Sequence, residues 1–154
     1  IVCVFFRIFD KMYDMKNRQI EDFSYSSMDD SGVLSLIHTS RTGVSYSLFG
    51  NILDESPFTP KEWAHYLHIS DRTMQRYTKE RKDFDPIQSE KILEVALVYK
   101  YGVEVFGNKE KFDIWLGAKN VALGNVAPKS LLDTTFGIGL LKDELTRIEH
   151  GILA

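Results

Sequence analysis

Residues 59–82 read TPKEWAHYLHISDRTMQRYTKERK, and two helix starts are written into them. Thr59 is an N-cap residue, Pro60 suits the first helical position, and Glu62 follows at the spacing of a capping box. Trp63, Ala64 and Leu67 then fall on one side of a helix. Ser70 is a second cap, with Asp71 in the first turn, where the helix dipole favours an acid. Two short helices parted by His68-Ile69-Ser70 have the layout of a helix-turn-helix. Ala64 is small where the helices would cross, Leu67 and Ile69 flank the turn, and Met74 and Tyr77 point back to a shared core. Position 68, often glycine in such turns, is histidine, which takes a left-handed conformation at some cost.

The second helix leaves Ser70, Arg72, Thr73, Gln75, Arg76 and Lys79 outside, and Arg81 and Lys82 extend the positive run. Arginine and glutamine pair in bidentate fashion with guanine and adenine edges, and lysine is a point charge for phosphate. A solvated helix face is the bland alternative; the capped pair with its small crossing residue tips the balance to DNA binding. Asp71, Glu80 and Asp83 dilute the patch and the formal net charge is -3, so modest affinity that depends on dimerisation is expected. Two-fold pairing is the usual remedy for a single short reading helix, and it predicts a homodimer.

On the N-terminal side, Leu34, Ile37 and His38, then Val44, Leu48, Phe49, Ile52 and Leu53, mark two short helices joined near Gly43. Residues 11–31 have no sustained period and read as a loop or frayed helix, and the opening IVCVFF is too short to span a bilayer. We treat 1–31 as a poorly defined leader, a truncated or mis-started one or a docking strand.

On the C-terminal side, Asp85-Pro86-Ile87-Gln88 is a further start signal. The helix after it, to about Phe106, is apolar nearly all round and must be buried on several sides, in the monomer or at a dimer contact. Gly107-Asn108 ends it. A last module opens with Phe112, Ile114, Trp115 and Leu116, passes an apolar turn at Ala122-Leu123-Gly124-Asn125, and re-enters helix at Pro128. From Leu131 onward Leu131, Ile138, Leu141, Leu145, Ile148 and Ile152 recur at three and four spacing, with Thr134 in the missing place, opposite a polar face of Lys142, Asp143, Glu144, Arg147 and His150. Gly137 and Gly139 each cost a helix roughly 1 kcal/mol against alanine, which points to a close packing contact or a break near Phe136.

The expected fold is therefore all-α: a helical bundle with a helix-turn-helix over 32–107, followed by a small helical domain over 108–154. The single cysteine, Cys3, excludes an internal disulfide and fits a reducing cytoplasm. His65 and His68 are a weak metal pair with no cysteine near them, and no phosphate-cradling glycine loop or nucleophile elbow is visible. Neither a metal, a cofactor nor an enzyme activity is expected, and no membrane association.

Trp115, Asn120-Val121-Ala122-Leu123-Gly124, Pro128, Leu131-Leu132-Asp133-Thr134, Gly137 and Arg147-Ile148-Glu149-His150-Gly151, in this order behind the helix-turn-helix, resemble the Xre/MbcA/ParS antitoxin family over residues 33–154. The resemblance implies an antitoxin whose first region binds the operator DNA of its own operon and whose second holds a RES-domain toxin acting on NAD. By that similarity the toxin contacts are Asn120, Leu123, Gly124, Pro128, Arg147, Glu149, His150, Gly151, Ile152, Leu153 and Ala154, with the Arg147–Ala154 tail reaching the toxin's NAD pocket. Asn125 stands where a second glycine is common, and asparagine tolerates the left-handed turn. A plain helix-turn-helix regulator with a dimerising or ligand-binding C-terminal region is the alternative, and a helix-turn-helix reduced to a structural role is a third.

Overall fold

The computed structural model describes residues 30–151, so most of the 1–31 leader, and Ile152, Leu153 and Ala154, lie outside the described residues. Within them the chain is all-helical: α1 (Asp30–Thr42), α2 (Tyr46–Glu55), α3 (Pro60–Tyr66), α4 (Asp71–Glu80), α5 (Pro86–Phe106), α6 (Lys109–Gly117) and α7 (Thr135–Glu149). Two 3-10 turns, Val121–Leu123 and Pro128–Leu131, lie between α6 and α7. Local chemistry starts most of these helices. Ser45, Thr59, Ser70, Asp85, Asn108 and Thr134 are all N-caps whose side chains accept a backbone N–H from the first turn.

Helix α5 is the axis of the molecule. Ile92, Leu93, Val95, Ala96, Leu97, Val98, Tyr99, Tyr101 and Gly102 are buried on it, because α1, α6 and α7 pack around it. Burial within the monomer thus accounts for its all-round apolar character. The buried side chains form one continuous cluster, from Phe49 and Trp63 in the helix-turn-helix half to Ile138, Leu141 and Leu145 on α7. Each of these contributes about 1.5–3 kcal/mol by leaving water. Phe58 ties α3 to α5, with its ring 5.4 Å from Tyr66 and 5.7 Å from Tyr99, both edge-on.

Two close approaches shape this packing. A Cβ at Gly102 would collide with the Cζ edge of the Phe112 ring, so the missing side chain is what lets α6 lie against α5. At the α1–α2 junction Gly43 has φ +97° and faces the Phe84 carbonyl. There the fully buried Ser89 hydroxyl accepts from Val44 N (2.7 Å) and donates to the Phe84 carbonyl (3.2 Å), so the polar groups of a buried junction are satisfied.

The last segment departs from the sequence expectation in two ways and decides between the two alternatives left open at Gly137. The stripe from Leu131 is not one helix. Pro128–Leu131 is a 3-10 turn, and α7 begins only at Thr135, with Thr134 as its cap rather than a place in the stripe. Gly137 marks the close contact rather than a break, since a Cβ there would collide with the Leu131 carbonyl, whereas Gly139 faces open space. Glu144, expected on the polar face, is 8% exposed, because it lies three residues after Leu141 and borders the buried stripe of Gly137, Ile138, Leu141 and Leu145.

Candidate nucleic-acid interface and partner-binding module

In the helix-turn-helix, Thr59 and Glu62 form both halves of the capping box, with Thr59 N donating to Glu62 Oε2 (2.8 Å) and Glu62 N to Thr59 Oγ1 (3.2 Å). His68 takes the left-handed backbone anticipated for it, φ 54°, and the turn closes by Ile69 N donating to the Ala64 carbonyl at 3.0 Å. Met74 and Tyr77 are buried, and they hold α4 against α3.

The face of α4 turned to solvent carries Arg72, Gln75, Arg76 and Lys79. Ser70 and Thr73 are occupied locally: Ser70 Oγ accepts Thr73 N at 3.1 Å and lies 2.9 Å from the Thr73 hydroxyl. Arg81 is the left-handed C-cap, φ 53°, so the positive run bends away at the end of α4 instead of continuing along it. Its guanidinium lies over the Tyr46 ring at 5.8 Å, and Lys82 Nζ lies over Tyr77 at 5.2 Å. The arrangement is a short helix offering two arginines, a glutamine and a lysine, flanked by two cations held against aromatic rings. Such a set has the hydrogen-bonding groups to read base edges and the charge to contact phosphates.

This half is clamped to the C-terminal module. Lys129 Nζ reaches Glu62 Oε1 at 2.8 Å. Burial alone would raise the Glu62 carboxyl, but hydrogen bonds from Lys129 and from Thr59 outweigh it and hold the group below its ordinary value. His68 Nε2 donates to the Asp133 carbonyl at 2.9 Å, and His65 Nε2 lies 3.7 Å from Asp133 Oδ2. The histidine pair weighed as metal ligands therefore converges on one aspartate. Among the described residues no group of three or more His, Cys, Asp or Glu side chains could hold a metal ion.

In the module itself, Asn120 organises a tight loop. Its N–H donates to the Val126 carbonyl (3.0 Å), its carbonyl accepts Asn125 N (2.8 Å), and its side-chain oxygen accepts Ala122 N (2.8 Å). Gly124 at φ 79° and Asn125 at φ 61° make the left-handed turn. Leu123 and Pro128 are buried, so these two members of the expected toxin-contact set pack inward and present no side chain to a partner.

At the end of α7, Arg147 Nη1 donates to Glu144 Oε2 at 3.1 Å and the Tyr101 hydroxyl donates to Glu149 Oε2 at 2.8 Å. His150 is the C-cap and Gly151 follows at φ 67°. Arg147, Glu149, His150 and Gly151 are all exposed. What the sequence reading missed is Phe136, 94% exposed on the first turn of α7, with Leu140 one turn later at 40%.

Comparison with known proteins follows this division of the chain. The family model for the antitoxin Xre-like helix-turn-helix domain matches residues 35–97, and that for the antitoxin Xre/MbcA/ParS C-terminal toxin-binding domain matches residues 102–151. The chain belongs to the Xre antitoxin family. The antitoxin Xre of Photorhabdus laumondii subsp. laumondii is 28% identical over 113 residues, 73% of this chain and 76% of the relative. The antitoxin Xre of Yersinia enterocolitica serotype O:8 is 28% identical over 120 residues, 77% of this chain and 81% of the relative. The chain is thus an antitoxin of the Xre type, with a helix-turn-helix domain followed by a toxin-binding domain. No helix among its described residues is long and apolar enough to cross a membrane.

Proposed function

We propose that this antitoxin neutralises a RES-domain, NAD-consuming toxin by covering its active site, and that as a cytoplasmic homodimer it represses its own operon through α4. The observation that carries the reading is the tandem arrangement: an exposed cationic reading helix and a C-terminal toxin-binding module built on one core. Asn120, Gly124, Arg147, Glu149, His150 and Gly151 supply the exposed or backbone contacts to the toxin, with 152–154 continuing the tail. The homodimer draws support from α1, where Val33, Leu34 and Ile37 are exposed beside one another, Leu34 at 64%. DNA reading belongs to Arg72, Gln75, Arg76 and Lys79, with Arg81 and Lys82 on phosphate.

The test is co-expression with the product of the adjacent reading frame, following growth and cellular NAD. The antitoxin should restore both. Growth arrest that persists beside the intact antitoxin would sink the reading. Removing everything after Gly124 is not a usable control, because it strips Ile138, Leu141 and Leu145 from the shared core. Point substitutions at exposed residues are needed instead.

A further inference from the structure

We infer that the antitoxin holds its toxin through an apolar anchor on α7, with Phe136 as the residue inserted into the toxin and Leu140 beside it. This rests on the toxin-binding reading and names the part of the module that carries its affinity.

Among the described residues Phe136 is the one aromatic side chain that is exposed; every other Phe, Tyr and Trp is buried or half-buried. It lies inside the segment that matches the toxin-binding domain. Helical geometry puts Leu140, Asp143 and Arg147 on the same face, at steps of four, three and four residues. The face therefore begins with an aromatic ring and ends on the cation at the tail. Gly139 edges the same face, and a Cβ there would meet nothing within 4 Å, so the backbone beside the ring is open to close approach.

An exposed phenylalanine has no role in the fold, since its ring returns nothing from burial in the monomer. As an anchor it has one: aromatic side chains bury about 150–250 Å² each and dominate interface energetics. Any stable interface needs about 1,000 Å² in total, several times what this ring and Leu140 supply, so the patch is a hot spot within a wider contact. Its place inside the segment that matches the toxin-binding domain, on one helical face with Arg147, makes the toxin the occupant. The toxin presents an apolar pocket the size of one aromatic ring, with an acceptor for Arg147 at its far end.

The full-length antitoxin, Phe136→Ser, Leu140→Ser and the control Ile87→Ser are each tested for capture of the protein encoded by the adjacent reading frame. Ile87 is 82% exposed and lies at the start of α5, outside the toxin-binding segment. Phe136→Ser should weaken capture by about 30-fold or more, the loss typical of a central anchor, and Leu140→Ser by less. The control should bind as the parent does, and the control and Phe136→Ser should keep the parent's thermal midpoint. If the parent captures the protein and Phe136→Ser captures it equally well, the inference is overturned while the toxin-binding reading stands. If the parent captures nothing, that reading falls and takes the inference with it. If Phe136→Ser instead turns a dimer into a monomer with toxin affinity intact, the patch serves self-association and the inference is again overturned.

Discussion

Gly137 and Gly139 sit two residues apart on α7, and replacing each by alanine should move stability in opposite directions. At Gly137 a new methyl would overlap the Leu131 carbonyl oxygen and lie 2.9 Å from the carbonyl carbon and 3.0 Å from Leu131 Cβ. Relief requires a carbon-to-oxygen separation of about 3.3 Å, so the 3-10 turn would have to retreat by about 1 Å. That turn cannot retreat freely. Pro128 and Leu132 are buried at its ends and Lys129 is bridged to Glu62 at 2.8 Å. Overpacking of this kind costs about 1–3 kcal/mol, and the helix-propensity gain in the first turn returns less than about 1 kcal/mol. Gly139 has nothing within 4 Å of the added methyl, so the gain stands alone. Because the chemistry is identical, the effect on the unfolded chain cancels between the variants. The two should differ by about 2–3 kcal/mol, or roughly 4–12 °C in midpoint for a chain of this size. Urea and thermal unfolding followed by circular dichroism measure this directly. Two stabilised variants of equal midpoint would refute the packing argument for Gly137.

Arg72→Ala and Arg76→Ala should each weaken binding to the operon's own promoter by about 1–3 kcal/mol, read by fluorescence anisotropy across a salt series, and unchanged binding would leave the helix-turn-helix a structural fold. Arg147→Ala should lower stability by about 1 kcal/mol, because it strips a half-exposed partner from the buried Glu144 carboxylate, and adding Glu144→Gln should restore the midpoint. The double variant then reports the contribution of Arg147 to toxin neutralisation without the folding defect. Acid should weaken the α3 clamp: the Glu62 carboxyl is held below its unfolded value of 4.5, so the unfolded chain binds more protons in that window and stability falls as pH drops through the folded value. Glu55, raised by burial, contributes with the opposite sign as pH rises above 4.5. Glu62→Gln should therefore flatten the acid limb of a stability profile and leave the Glu55 contribution in place; a parent profile with the same acid limb as Glu62→Gln would refute the assignment.

The helix starts were legible because capping is a short-range matter. Thr59, Ser70 and Asp85 each bond to a backbone N–H three residues ahead, so the information lies within one turn of chain. The positive-φ turn at His68 and the all-round burial of α5 were legible on the same grounds, local steric preference and composition. The start of α7 was not. Apolar spacing ran on through Leu131, but a 3-10 turn and a cap at Thr134 interrupt it, and neither the burial of Glu144 beside the Ile138–Leu141–Leu145 stripe nor the exposure of Phe136 follows from spacing alone. In the expected contact set, Leu123 and Pro128 proved to be core because an apolar residue in a loop reads the same whether it faces a partner or its own bundle.

The sequence by itself determined that this antitoxin is all-helical, where its reading helix starts, and that its two modules follow one another in this order, since those properties rest on turn-length hydrogen bonds and on residue type. Only the tertiary structure decided how the modules meet. Lys129 with Glu62 and His68 with Asp133 are contacts between residues far apart in the chain, one from each module. Which distant groups come together depends on how whole helices pack around α5, and that is a property of the assembled core that no short window of sequence contains.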